Sequence, residues 1–118
     1  MSYYKSLASV YIAISFDRAN NMIAKIGQSA NVTKRIRRLG PQTGRSHSLV
    51  FSGPQMERSR ASYYEGCMIK AARKQGWSHY EGEFIDGDAL PTLLKWAKRI
   101  PEQKESVEVQ QTLPLSVS

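Results

Sequence analysis

The stretch that most constrains the fold is an uninterrupted alternation near the N-terminus. Val10, Ile12, Ile14 and Phe16 alternate with Tyr11, Ala13 and Ser15. After the polar segment Asp17-Arg18-Ala19-Asn20-Asn21, Met22, Ala24 and Ile26 alternate with Ile23, Lys25 and Gly27. A period of two is the signature of a strand with two unlike faces. Closing the two runs as an antiparallel hairpin with Phe16 opposite Met22 places every even-numbered residue on one face, and that face is wholly apolar. A slip of one residue would mix the faces, so the pattern specifies its own register. The opposite face gathers Tyr11, Lys25 and Gly27, an unusual set to leave beside a core.

The next segment, 31–39, reads as a helix. Asn31 supplies an N-cap, Gly40-Pro41 reads as a stop, and Val32, Ile36 and Leu39 recur at helical spacing. On a wheel of about 100° per residue Arg35 lies roughly 60° from Val32. It is therefore held at the edge of the buried stripe, where packing can aim it. Lys34, Arg37 and Arg38 point further round, either as a solvated face or as phosphate contacts.

Beyond a turn-rich loop that carries Arg45, Ser48–Ser52 reads as a short strand ended by Gly53-Pro54. A second helix, 56–75, has the apolar stripe Ala61, Tyr64, Met68, Ala71 and Ala72 and closes at Gly76. Glu65 has Ala61, Ser62, Met68 and Ile69 as its helical neighbours, so its carboxylate lies against apolar surface. Such a charge costs free energy unless it meets a cation or metal; the plain alternative is pairing with Arg58 or Lys70. Gly66 beside it weakens the helix by about 1 kcal/mol relative to Ala, which hints at close packing there. Gly82-Glu83-Phe84-Ile85 reads as a further strand-like segment, in which Glu83 either supports a site or pairs with a cation. Gly87-Asp88 caps a third helix, 89–100, with Leu90, Leu93, Leu94 and Ala97 on its buried face and Pro91 in its first turn. His47 and His79 lack ligand spacing to any partner and read as structural or surface residues.

These elements predict an α+β fold with a small central antiparallel three-stranded sheet from 9–16, 22–27 and 48–52, flanked by three helices. Residues 1–100 form the domain, and 101–118 lack periodicity and read as a disordered polar tail. The one cysteine, Cys67, excludes an internal disulfide and a cysteine-built zinc site, and fits a reducing, cytoplasmic setting. No stretch is long enough to span a membrane.

The net charge of +7 is unevenly spread. Between Arg18 and Met56 no acidic residue occurs, while Arg18, Lys25, Lys34, Arg35, Arg37, Arg38 and Arg45 supply seven cations. The first 100 residues carry 16 cations against 7 acids, a net +9. This is the footprint of a polyanion partner, with nucleic acid first and an acidic protein surface as the alternative.

Three short motifs in order, Val10-Tyr11-Ile12, Lys25-Ile26-Gly27 and Arg35 eight residues after the glycine, resemble the GIY-YIG nuclease superfamily. The resemblance is to the branch whose second motif reads KIG, and covers residues 9 to about 86. The Gly82-Glu83-Phe84 segment resembles a stretch of that branch too. The resemblance implies a GIY-YIG-like fold and a phosphodiester-cleaving endonuclease with one divalent metal, Mg²⁺ or Mn²⁺. It implies Tyr11 as general base, Arg35 on a phosphate oxygen and Glu65 as metal ligand, with Lys25 where the second tyrosine usually stands. Lys25 and Arg35 would favour the Tyr11 phenolate, and Gly27 would leave the space over Tyr11 open to substrate. Lys34, Arg37, Arg38 and Arg45 are the expected nucleic-acid contacts, with DNA ahead of RNA and little intrinsic sequence specificity. A non-catalytic nucleic-acid-binding module on the same fold is the alternative.

Overall fold

A computed structural model describes residues 7–77 and 84–100. Strand β1 (Leu7–Phe16) and strand β2 (Met22–Ser29) form the expected hairpin. Phe16 pairs with Met22, Ile14 with Ala24, Ile12 with Ile26 and Tyr11 with Gly27, the register that the alternation dictates. The connecting loop is held from within. The Asp17 carboxylate accepts from the backbone N–H of Ala19 (3.0 Å) and of Asn21 (2.8 Å). Asn20 takes the left-handed conformation (φ 68°) that such a loop requires and that asparagine tolerates.

Helix α1 (Val32–Thr43) follows, then strand β3 (Ser48–Ser52), the two-residue strand β4 (Met56–Glu57) and helix α2 (Arg58–Lys74). Strand β5 (Phe84–Asp86) leads through a 3-10 turn (Gly87–Ala89) into helix α3 (Leu90–Lys98). The sheet is antiparallel in the order β3-β1-β2-β5, with β4 paired to the start of β1. It is thus larger than the expected three strands. β5 adds to β2 opposite Ile23, Ala24 and Lys25 only, so from Ile26 onward that edge of β2 has no strand beside it among the described residues.

Two helix boundaries differ from expectation. Helix α1 runs through Gly40-Pro41 and ends at Gly44, whose left-handed φ of 77° lets its N–H reach the Gly40 carbonyl at 2.8 Å. Pro41 lacks only one N–H, and the Thr43 hydroxyl donates to the Leu39 carbonyl (2.7 Å) within the same last turn. Helix α2 starts at Arg58 rather than 56, because Met56 pairs with Ala8 as a strand residue and is itself buried.

Both faces of the hairpin are covered. On the even face Val10, Ile12, Ala24 and Ile26 pack with Ala61, Tyr64, Met68 and Ala72 of α2 and with Leu93, Ala97 and Ile100 at the C-terminal end. On the odd face a smaller cluster joins Tyr11 and Ala13 to Leu39, flanked by Val32 and Ile36 of α1. No helix among the described residues is long and apolar enough to cross a membrane. His79, Gly82, Glu83 and the tail 101–118 lie outside the described residues.

Candidate functional site

Tyr11 and Gly27 meet directly across the hairpin. A Cβ on Gly27 would stand 2.5 Å from the Tyr11 hydroxyl oxygen and 2.6 Å from Cζ, so the tyrosine ring lies over the glycine backbone. The space that Gly27 was expected to leave open to substrate is filled by Tyr11 itself, which is only 1% exposed. Alternation reveals which face a residue occupies, but not that its neighbour's missing side chain is what accommodates its ring.

Lys25 shares that face, opposite Ala13 on one side and Phe84 on the other. Its Nζ lies 6.0 Å from the centre of the Phe84 ring, and the Arg45 guanidinium lies 5.5 Å from the same ring. His47 stacks on Phe84 at 6.1 Å between centroids and bonds through Nδ1 to the Arg45 carbonyl (3.1 Å). Burial holds the His47 imidazole below its ordinary pKa. The charges of Lys25 and Arg45 push the same way, and the bond to the Arg45 carbonyl opposes them. Sequence spacing gave no hint of this cluster, because its members come from β2, the α1–β3 loop and β5.

Glu65 is half-buried on α2, between Ala61 and Met68, both fully buried. Desolvation raises its carboxyl above the usual carboxylate range, and the Lys25 ammonium works in the opposite direction. Its charge partner thus comes from the sheet, and it makes no ion pair with Arg58 or Lys70 of its own helix. Among the described residues nothing is packed against Gly66: a Cβ there would meet no atom within 4 Å, contrary to the hint from its position.

Helical geometry links Glu65 to a basic groove. Arg58, Ser62 and Glu65 are spaced four and three apart and form one stripe of α2. Ser62 accepts a hydrogen bond from Gln28 Nε2 (2.8 Å), which ties that stripe to the end of β2. Gln28 and Asn31 help to line a groove of about 330 Å³ whose charged residues are Lys34, Arg35 and Arg38 from α1 and Arg58 from α2. Asn31 caps α1 as expected, accepting from the Lys34 N–H at 3.0 Å. None of the four cations forms an ion pair with another described residue. Arg37 is exposed and does not line the groove, and Arg45 lies instead against Phe84. Arg58 was missed as a site residue because a wheel orients it only within its own helix.

The donor set is sparse in acids. No group of three or more His, Cys, Asp or Glu residues gathers among the described residues. Glu65 alone fits a hard divalent ion, since Mg²⁺ retains several waters and takes phosphate oxygens as further ligands. A half-buried carboxylate that burial keeps above its usual pKa is also one that a cation would stabilise. No family model matches the chain, and neither a curated protein nor a solved structure matches it.

Proposed function

We propose that the chain is a metal-dependent endonuclease of GIY-YIG type that hydrolyses phosphodiester bonds in nucleic acid. DNA is its expected substrate, recognised with little intrinsic sequence specificity, and a reducing cytoplasmic compartment its expected setting. The observation that carries this reading is the α2 stripe. It carries one half-buried carboxylate, Glu65, that feels the charge of Lys25, and it begins at Arg58 in a groove whose four cations form no ion pair among the described residues.

Each residue then has a role. Glu65 would hold Mg²⁺ or Mn²⁺, which when bound polarises the phosphate and offsets charge on the leaving oxygen. Arg35, half-buried at the groove's edge, would bind a non-bridging oxygen as charge develops. Lys25 would hold the water or a second phosphate oxygen, and Tyr11 would take the proton. Lys34, Arg38 and Arg58 bind strand phosphates without touching the reacting atoms.

The test is plasmid nicking, with cleavage of duplex, single-stranded and branched DNA and of RNA, in Mg²⁺ or Mn²⁺. Wild type should cleave, and Glu65→Gln should not, while binding nucleic acid as tightly or more tightly because a negative charge is gone. A Glu65→Gln protein that cleaves like wild type would end the assignment of Glu65. The burial of Tyr11 at 1% exposure favours a second reading, a non-catalytic nucleic-acid-binding module. Wild type that binds DNA but cleaves no substrate under any metal would select it.

A further inference from the structure

Helices ordinarily place acids in their first turn and bases in their last, because the N-terminus carries partial positive charge. Helices α2 and α3 have the expected bases in their last turns, and none of the three helices has an acidic residue in its first turn. The two helices that flank the groove differ from α3 in placing cations at their starts. Lys34 and Arg35 stand in the first turn of α1, and Arg58 and Arg60 in that of α2. Like charge is therefore stacked on like at two helix ends that border one cavity, with Glu57 as the N-cap residue of α2 beside them.

A second observation lies beside the same groove. Gln28 is half-buried; its Oε1 is covered and has no hydrogen-bond partner among the described residues, although its Nε2 is held by Ser62. A hydroxyl both donates and accepts, so turning the amide over preserves the Ser62 bond and frees an N–H donor instead. A phosphate oxygen is the acceptor that the four cations would share, and a rotation of the Gln28 side chain out of its covered position would add that donor.

We infer that this groove is a subsite for a phosphodiester of the bound strand a few nucleotides from the one that is cut, with Arg58 as its anchor on α2; this rests on the nucleic-acid reading above. The groove is lined by Arg35 but not by Tyr11, Lys25, Gly27 or Glu65, so it adjoins the reacting centre without containing it. Arg58 and Glu65 are separated by about 10 Å along the helix axis. That exceeds the rise of about 3.4 Å per nucleotide of one strand, so the two residues serve different phosphates. Along α2 the bound strand would run from Arg58 in the groove toward Glu65.

The experiment is a fluorescence-anisotropy titration of a short labelled DNA oligonucleotide in EDTA, where no cleavage occurs, with thermal unfolding of the free protein alongside. Arg58→Glu is compared with Lys98→Glu, which makes the same change in net charge at an exposed position of α3. Arg58→Glu should weaken binding about tenfold and Lys98→Glu less than about threefold, since only the first removes a seated phosphate contact. Arg58→Glu should also raise the Tm by about 2–5 °C, because it relieves the charge conflict at the α2 N-terminus. Equal losses of affinity in the two variants, or a lowered Tm for Arg58→Glu, would overturn the inference while leaving the nuclease reading intact. Wild type that binds no nucleic acid would overturn both.

Discussion

The two faces of the β1–β2 hairpin are built on opposite principles. The even face joins the sheet to α2 and α3 in one apolar cluster, in which Ile12, Ala24, Ala61, Met68, Leu93 and Ala97 are fully buried. The odd face has three buried hydrophobic residues in its own cluster, Tyr11, Ala13 and Leu39, and shares its remaining positions among Ser9, Ser15, Ile23, Lys25 and Gly27. One face thus supplies the bulk of the hydrophobic stabilisation. The other gives positions beside a core to a tyrosine, a glycine and a lysine that hydrophobic packing alone would not select. Marginal stability makes this division practical, since a site of poor packing can persist only against a face that packs well.

The most severe way to break the comparison is a cavity on each side. Met68→Ala should cost near the upper part of the range of about 2–5 kcal/mol seen for such truncations, because the even-face cluster surrounds it. Leu39→Ala should cost near the lower end, because Val32 and Ile36 beside it are only partly buried and can resettle. Urea unfolding of both variants measures the difference. Equal losses would show that the odd face carries as much stability as the even one.

A subtler break is to add a side chain beneath the Tyr11 ring on the odd face. Gly27→Ala would drive a methyl group into the Tyr11 ring and should destabilise by about 1–3 kcal/mol. Because the clash is with a single side chain, Tyr11→Ala in the Gly27→Ala background should recover part of that loss relative to simple additivity. A double-mutant cycle with no coupling would mean that the two residues do not touch as described.

These two faces also mark what could be read in advance. The register of the hairpin, the α1 and α2 stripes and the N-cap at Asn31 are local patterns, and all are found. The short strand β4 is not local. Its formation depends on Ala8, far away in sequence, and two residues carry no periodicity of their own. Gly40-Pro41 misled as a stop, because what ends the helix is a left-handed residue, and Gly44 is the glycine that adopts it. At the site, helical position correctly put Arg35 and Glu65 at the flanks of their stripes. Their shared surroundings could not be read, since Lys25 beside Glu65 and Arg58 beside Arg35 are brought there by the packing of α2 along β2.

Charge sharpens the comparison further, with a smaller effect on stability. Glu65 has a folded pKa above its unfolded value, so the native state binds more protons in the window just above the ordinary carboxylate pKa. Its contribution is complete below the unfolded value and lost as pH rises through the folded one. His47 acts in the opposite sense from the odd face. Its folded pKa lies below 6.5, so its contribution is present above that value and lost as pH falls through the folded pKa. Glu65→Gln should therefore raise stability at neutral pH and remove the decline that sets in as pH rises through the Glu65 folded pKa, whereas His47→Gln should flatten the curve near and below 6.5. Thermal unfolding between pH 4 and pH 8, in steps of about one unit, would separate them; identical profiles for Glu65→Gln and wild type would show that Glu65 is not desolvated in the native protein.

The smallest expected effect tests how finely the odd side of the molecule is organised. Lys34, Arg37 and Arg38 are all exposed and lie within five residues of one helix, so an undirected basic face would weight them alike. The groove does not: it is lined by Lys34 and Arg38, while Arg37 lies outside it. Removing one phosphate-binding cation should lower the slope of log affinity against log salt by about 0.7 to 0.9 of a unit. Lys34→Ala and Arg38→Ala should each show that drop, and Arg37→Ala should leave the slope near the wild-type value. Arg35→Ala should lower the slope as well and, unlike the other three, should depress cleavage at saturating DNA, because the proposed mechanism puts Arg35 on the phosphate that is cut. If Arg37→Ala flattens the salt dependence as much as Lys34→Ala does, the bound strand is held by the whole face of α1, and the concave surface between α1 and α2 has no privileged part in its binding.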